Sequence, residues 1–399
     1  PHAPPPAPAP IAAGTGDDRA TRLANVALAW NIFQHFYPYF DVVEVDWPAE
    51  LPRALSTAAT DADECAFLGT LRRLVAALDD GHGRVLHGCE GAQRAPLVAI
   101  EPVEGRPTVM AAAEGLRPGD VILRVDGRSA DSLVAAQHAL ISAATPGWRD
   151  YRAHSELLLG RDSVVQVTVE RADGDTATVA LRRPARPQPA PEGKPAPVAQ
   201  VRPGIWYVDL DRVTPAQLQA AMPDLERAAG LVFDMRGYPD GLNPMEFFSH
   251  LIREPGQSAQ WHIPVVTRPD APGARHDARG RWELQPGAPY LAAPRAFITD
   301  GRAISFAESM MGIVEAYRLG EIVGQPTAGT NGNVNPFELP GGYSIGFTGM
   351  RVLKHDGSRH HGVGILPTVP ARRTRAGVAA GRDELLEKAI EVVTRAQGR

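Results

Sequence analysis

Lysine is almost missing from this chain. Its 399 residues include only Lys194, Lys354 and Lys388, and Lys194 sits in a proline-rich stretch while Lys388 suits the charged face of a helix. Lys354 is then the one lysine expected to approach a core site, so chemistry built on a serine-lysine pair is not expected. Cysteine is scarcer still: Cys65 and Cys89 are either one disulfide or two buried thiols. No run approaches 18 apolar residues, so no segment is expected to span a bilayer. The formal net charge of -5 lacks the basic excess that would favour nucleic acid or an anionic membrane. What remains, 44% hydrophobic and 22% charged residues, is the composition of a globular chain long enough for two or three cores.

The pattern changes along the chain in five steps, which predict an α/β multi-domain protein. Residues 1–16, "PHAPPPAPAPIAAGTG", cannot form a core and read as an extended tether, and the opening Pro1 suggests a processed chain. Residues 17–95 are helical in pattern, with Leu23, Val26, Ala27 and Trp30, then Phe67, Leu71, Leu74 and Val75, at helical spacing; they end in a loop around His82. Residues 96–183 turn to short strands, with Asp-Gly pairs marking turns. Here Gly115, Leu116, Gly119, Asp120 and Gly127 fit "GLxxGDxILxVDG", which resembles a PDZ domain of the permuted bacterial kind. Such a domain would hold a peptide C-terminus by strand addition, with Gly115, Leu116 and Gly119 in its binding loop. Residues 184–198 are a proline-rich linker, expected to let the PDZ unit move and gate access. Residues 199–399 alternate short apolar runs with helical stretches, the signature of an α/β core.

Chemistry is suggested first by "ITDGRAISFAESMM". Ser305 followed by Glu308 ahead of an apolar run spells a capping box, and the same position is where a helix N-terminus would stabilise charge on a nucleophile. A serine needs a base and oxyanion donors. The sequence supplies His82, exposed between two glycines in "ALDDGHG", and Gly241, in a Gly-, Pro- and Asp-rich turn after the strand "GLVFD".

Five segments in order, "ALDDGHG", "GLRPGDVILRVDG", "LVFDMRGYPDG", "ITDGRAISFAES" and "GVGILPTVP", make the chain from about Trp30 to Val393 similar to the C-terminal processing, or tail-specific, serine proteases. The branch resembled most includes the tricorn core and retinoid-binding-protein-like relatives, and it implies a helical N-terminal domain, a PDZ domain and a crotonase-like core. The resemblance implies Ser305 as nucleophile, His82 as general base, and the amides of Phe306 and Gly241 as oxyanion donors. Where the lysine-dependent branch keeps its base, this chain has Thr330.

One part of the pattern is broken. The glutamate that would orient the histidine is replaced in "KHDGSRHHGVGILPTVP", leaving His361, His360, Asp356 and Glu338 as candidates for the third member. His355, Asp356, His360 and His361 also suit a transition metal, although their spacing fits no metal motif and a solvated turn explains them as well. The expected activity is that of a serine endopeptidase cleaving unstructured polypeptides or C-terminal tails, with no cofactor and no metal. A polypeptide is the expected partner, and the expected location is periplasmic or secreted. The missing carboxylate keeps a second reading open: a latent or non-catalytic protease-like fold that binds peptides or apolar ligands.

Overall fold

The structure, a computed structural model, describes residues 14–186, 193–239, 241–265 and 275–397. Most of the 1–16 tether and the middle of the 184–198 linker lie outside the described residues.

Helices Arg19–Phe36, Trp47–Ala58 and Glu64–Ala76 open the chain, and each starts at an aspartate whose carboxylate accepts a first-turn N–H: Asp18 from Thr21, Asp46 from Ala49 and Asp63 from Ala66. Their apolar faces do not form a core alone. Phe33, Phe67 and Leu71 are buried together with Tyr343, Ile345 and Phe347 of the hairpin Val334–Leu339 and Tyr343–Thr348. Strand Arg84–Leu86 pairs antiparallel with Tyr343–Thr348, so the loop holding His82 is fixed between a helix and this distant hairpin. Cys65 and Cys89 are joined, tying helix Glu64–Ala76 to the turn that follows the strand.

The next unit is an antiparallel sheet of Ile100–Val103, Arg106–Val109, Val121–Val125, Val164–Glu170 and Thr176–Arg182, covered by helices Ala130–His138 and Pro146–Ser155. In Val164–Glu170 the alternation buries Val165, Val167 and Val169 on one face, as a half-covered sheet requires. The unit is bonded to its surroundings. Glu101 pairs with Arg302 at 2.9 Å and with Arg373; Arg375 donates to the carbonyls of Gly119, Glu170 and Arg171; Trp148 Nε1 donates to Gly81 O at 3.0 Å. These bonds fasten the unit to the core and to the His82 loop alike.

The last unit is built on a six-stranded sheet. Val198–Arg202 runs antiparallel to Ile205–Asp209, which is followed in spatial order by the parallel strands Gly230–Asp234, Arg295–Thr299, Glu321–Gly324 and Val369–Pro370. Every residue of Gly230–Asp234 is buried, and Leu231, Val232 and Phe233 give the continuous apolar run expected of a parallel strand covered on both faces. Helices Pro215–Glu226, Pro244–Ser249 and Phe306–Tyr317 contribute to the core on one face, and Glu384–Ala396 covers the other. Neighbouring strands end in the same device. Asp209, Asp234 and Asp300 each accept the N–H two residues on at 3.0 Å, turning the chain sharply at the carboxyl edge of the sheet. Lys194, expected to stay clear of the core, is buried here instead, 3.4 Å from Asp209 and donating to Arg236 O. Lys354 pairs with Glu315 at 2.7 Å.

Candidate active site

The site begins where strand Arg295–Thr299 ends. After the Asp300 turn, Ile304 enters the apolar core beneath the antiparallel sheet, and the chain must reverse at once to start the next helix. Ser305 absorbs the reversal with φ 57° and ψ -110°, a conformation costing a side-chain-bearing residue about 1–3 kcal/mol. Such strain persists only where the surroundings over-determine it, and here they do. The Ser305 N–H donates to Thr330 O at 2.8 Å and to Glu308 Oε2 at 3.3 Å. Glu308 is itself buried and collects three further donors: Thr327 Oγ1 at 2.5 Å, Gly329 N at 2.8 Å and Thr330 N at 2.8 Å. His360 Nε2 lies 3.3 Å from the same carboxylate. The Ser305 side chain makes no cap hydrogen bond and is partly exposed, so its hydroxyl is available. Phe306 is the first helical residue, and its N–H has no acceptor within the helix.

The histidine approaches from the other end of the chain. Gly81 N–H donates to Thr330 Oγ1 at 3.0 Å, so Thr330 holds the His82 loop with its side chain and Ser305 with its carbonyl. Glycine is required at 81 by proximity: a Cβ there would lie 2.6 Å from Thr330 Oγ1 and 3.1 Å from Ile304 Cδ1. His82 Nδ1 is 2.8 Å from Thr348 Oγ1, and Thr348 Oγ1 in turn donates to Asp80 Oδ1 at 2.6 Å. Asp80, fully buried, also accepts from Thr348 N at 2.6 Å and His82 N at 3.0 Å. Burial holds the His82 imidazole below its ordinary pKa, against the opposing pull of Asp80 and Glu308, so the ring is neutral at pH 7. A partly exposed serine at a helix start and a neutral histidine thus share one threonine as their fixed point.

Residues 204–371, which carry five of the six strands of the sheet, Ser305 and Thr330, match the model of peptidase family S41. The α/β core is that of an S41 serine peptidase. No curated protein matches the chain in sequence. Among solved structures, mature CPAF is similar over 95% of this chain and 98% of its own, with a TM-score of 0.74 and 14% identity. The photosystem II D1 C-terminal processing protease is similar over 95% and 98%, with a TM-score of 0.51 and 20% identity. The tricorn protease is similar over 96% of this chain and 37% of its own, with a TM-score of 0.50 and 12% identity. Identities this low make these likenesses of fold, while the family match over residues 204–371 implies polypeptide as the class of substrate.

The candidates for a third member separate in space. Asp356 lies in an exposed turn where its carboxylate accepts from Ser358 N, and Glu338 lies on an exposed stretch of the hairpin. His360 faces Glu308. His361 is stacked on Tyr39 with ring centres 4.1 Å apart, and its Nε2 lies 3.4 Å from the Tyr37 hydroxyl. The group bonded to the His82 ring is Thr348, with Asp80 behind it. The four residues weighed as metal ligands diverge too: His355 is exposed and bonded to Gln257 O, and among the described residues no three His, Cys, Asp or Glu side chains converge as a metal would need. Gly241 is exposed near Val213 O, and its turn meets the serine helix through Tyr238, whose ring centre lies 6.1 Å from that of Phe306. In the antiparallel unit Gly115 and Gly119 take positive φ of 91° and 81°, Leu116 is buried, and Gly119 is packed on Ala379. Sequence reasoning passed over Asp80 and Thr348; the first stood inside a quoted motif, and nothing near the second marked it.

Proposed function

We propose that this S41 peptidase is an endopeptidase in which Ser305 is the nucleophile and His82 the general base. The observation that carries this reading is the strained Ser305 at a helix N-terminus, held through Thr330 to the loop of a neutral, partly buried histidine. His82 Nε2 takes the hydroxyl proton as Ser305 Oγ bonds to the scissile carbonyl carbon, whose π electrons move to oxygen. The Phe306 and Gly241 amides hold that oxyanion, aided by the positive end of the helix. On collapse the C–N bond breaks and His82 gives its proton to the leaving amine. Water, deprotonated by the same ring, then hydrolyses the acyl-enzyme.

The unit of residues 96–183 is the substrate-capture module in this reading, taking an unstructured chain near its C-terminus in the manner of a PDZ domain. Its bonds to both the His82 loop and the core support delivery at close range instead of a swinging arm. The Cys65–Cys89 disulfide supports a periplasmic or secreted location, since such bonds persist in oxidising compartments.

Intact-mass labelling with a fluorophosphonate tests the assignment. One adduct should form on the native chain, none on Ser305→Ala, and adduct formation on His82→Ala should be slower by about a hundredfold or more. No adduct on the native chain, with peptide binding retained, would favour the latent binding protein.

A further inference from the structure

The His82 ring is bonded not by a carboxylate but by a hydroxyl, and that hydroxyl has a carboxylate behind it. An ionised carboxylate can only accept, and Asp80 faces three donors: Thr348 N, Thr348 Oγ1 and His82 N. The single proton of the Thr348 hydroxyl is therefore committed to Asp80 Oδ1, 2.6 Å away. Toward His82 the same oxygen has only lone pairs to offer, so at 2.8 Å the imidazole must be the donor through Nδ1–H. A neutral ring protonated on Nδ1 carries its lone pair on Nε2, the tautomer a general base needs.

We infer that Thr348 and Asp80 are positioning residues for His82, forming a relay Asp80–Thr348–His82 that supplies what the absent glutamate would have supplied. The inference rests on the assignment of His82 as base. Neither residue touches the reacting atoms: Thr348 fixes the tautomer and ring orientation, and Asp80 fixes Thr348 through both its hydroxyl and its N–H. As His82 gains a proton, its Nδ1–H bond strengthens, and the charge of Asp80 is felt across the intervening hydroxyl. The other charged groups acting on the ring are Glu308, with the sign of Asp80, and Arg84, with the opposite sign. The charge of Asp80 is also felt by Tyr37, Tyr39 and His361, with Arg351 acting on Tyr39 and Arg359 on His361, and burial keeps His361 neutral.

Thr348→Val removes the hydroxyl while keeping the shape and the N–H bonded to Asp80. The full chain carrying it should react with fluorophosphonate, and cleave an unfolded polypeptide, about 10- to 100-fold more slowly at neutral pH. The acid limb of its pH–rate profile should move about one unit lower, because the imidazolium has lost its stabilising partner. Thr348→Ser should restore both rate and limb. Native rate and native limb in Thr348→Val, with His82→Ala still slow, would overturn the relay and leave the base assignment standing; native rate in His82→Ala would overturn both. Should Thr348→Val not fold, nitrogen-15 NMR of histidine-labelled native enzyme decides, the His82 signals being assigned by their loss in His82→Ala. Protonated Nδ1 with unprotonated Nε2 supports the relay, and the reverse tautomer excludes it.

Discussion

Two buried carboxylates, Glu308 and Asp80, support the two halves of this site, and they do so differently. Glu308 gathers its donors from its own neighbourhood of the core: Ser305 N, Thr327 Oγ1, Gly329 N and Thr330 N all belong to the serine helix or the loop packed on it. Asp80 gathers donors from both ends of the chain, joining His82 to Thr348 across 266 residues. The first carboxylate makes a rigid seat out of local backbone. The second transmits orientation to a ring. The serine half is thus scaffold carrying chemistry, and the histidine half is chemistry that exists only once distant segments have docked.

If that contrast holds, removing Glu308 should damage the fold more than any other single change in the site. Glu308→Ala leaves the N–H groups of Gly329 and Thr330 buried without an acceptor, each costing about 1–3 kcal/mol, and frees Ser305 from half its restraint. We expect a loss of about 3–5 kcal/mol in urea unfolding, the range for breaking a buried charged contact, together with lost fluorophosphonate labelling. A variant that kept its stability but lost labelling would show that Glu308 acts chemically, and the contrast between seat and relay would collapse.

Next in size is an acid transition specific to the histidine half. Burial pushes His361 down to about 4 from an ordinary 6.5. Because its folded pKa is the lower one, the unfolded chain binds the extra proton first, so this contribution is complete above about pH 6.5 and is lost as pH falls toward 4. At 1.36 kcal/mol per unit the loss is roughly 3 kcal/mol. His361→Phe keeps an aromatic ring against Tyr39 and removes the titration, so its stability should fall less over this range than that of the native protein. Parallel stability curves for the two proteins between pH 6.5 and 4 would assign the acid sensitivity elsewhere, with His82, whose pKa burial also lowers, the first alternative.

The same division explains what could be read from the sequence. The helical spacing of the N-terminal segment, the apolar run of strand Gly230–Asp234 up to its closing aspartate and the Ser305–Glu308 spacing are local features, written in periods of two to four residues, and all were legible. The spelling "SxxE" was read as a capping box, and Glu308 does reach back to the Ser305 N–H, but its larger role toward residues 327–330 depends on a loop about twenty positions away. Asp80 and Thr348 carry no periodic signal that pairs them. Their relation is set by the strand Arg84–Leu86 docking on Tyr343–Thr348, a register that propensity does not encode. The broken motif therefore points to residues such as His361, which is held between two tyrosines, and nothing in the sequence singles out the carboxylate two residues before the histidine itself. Likewise, composition puts Lys194 in an open proline-rich connection, yet a buried aspartate at the edge of the sheet draws it in.

The smallest expected effect probes the seam where the halves meet. A methyl group at residue 81 would press on Thr330, 2.6 Å from Oγ1 and 2.9 Å from Cβ, whereas one at residue 83 would press on Ser142 and Val75 at 2.6–2.9 Å. Thr330 holds both the His82 loop and the Ser305 N–H, while Ser142 accepts from Asp80 N at 2.9 Å and bonds only the histidine half. Each substitution overpacks its site and should cost about 1–3 kcal/mol in denaturant unfolding. Their effects on chemistry should differ in kind. Gly83→Ala displaces the Asp80 end of the relay, so it should slow labelling and move the acid limb together, as Thr348→Val does. Gly81→Ala shifts the ring and the nucleophile relative to each other without touching the groups that set the ring's basicity, so it should slow labelling and leave the limb where it is. Equal movement of the limb in both variants would mean that the halves are not separable through Thr330, and that the site behaves as one rigid body.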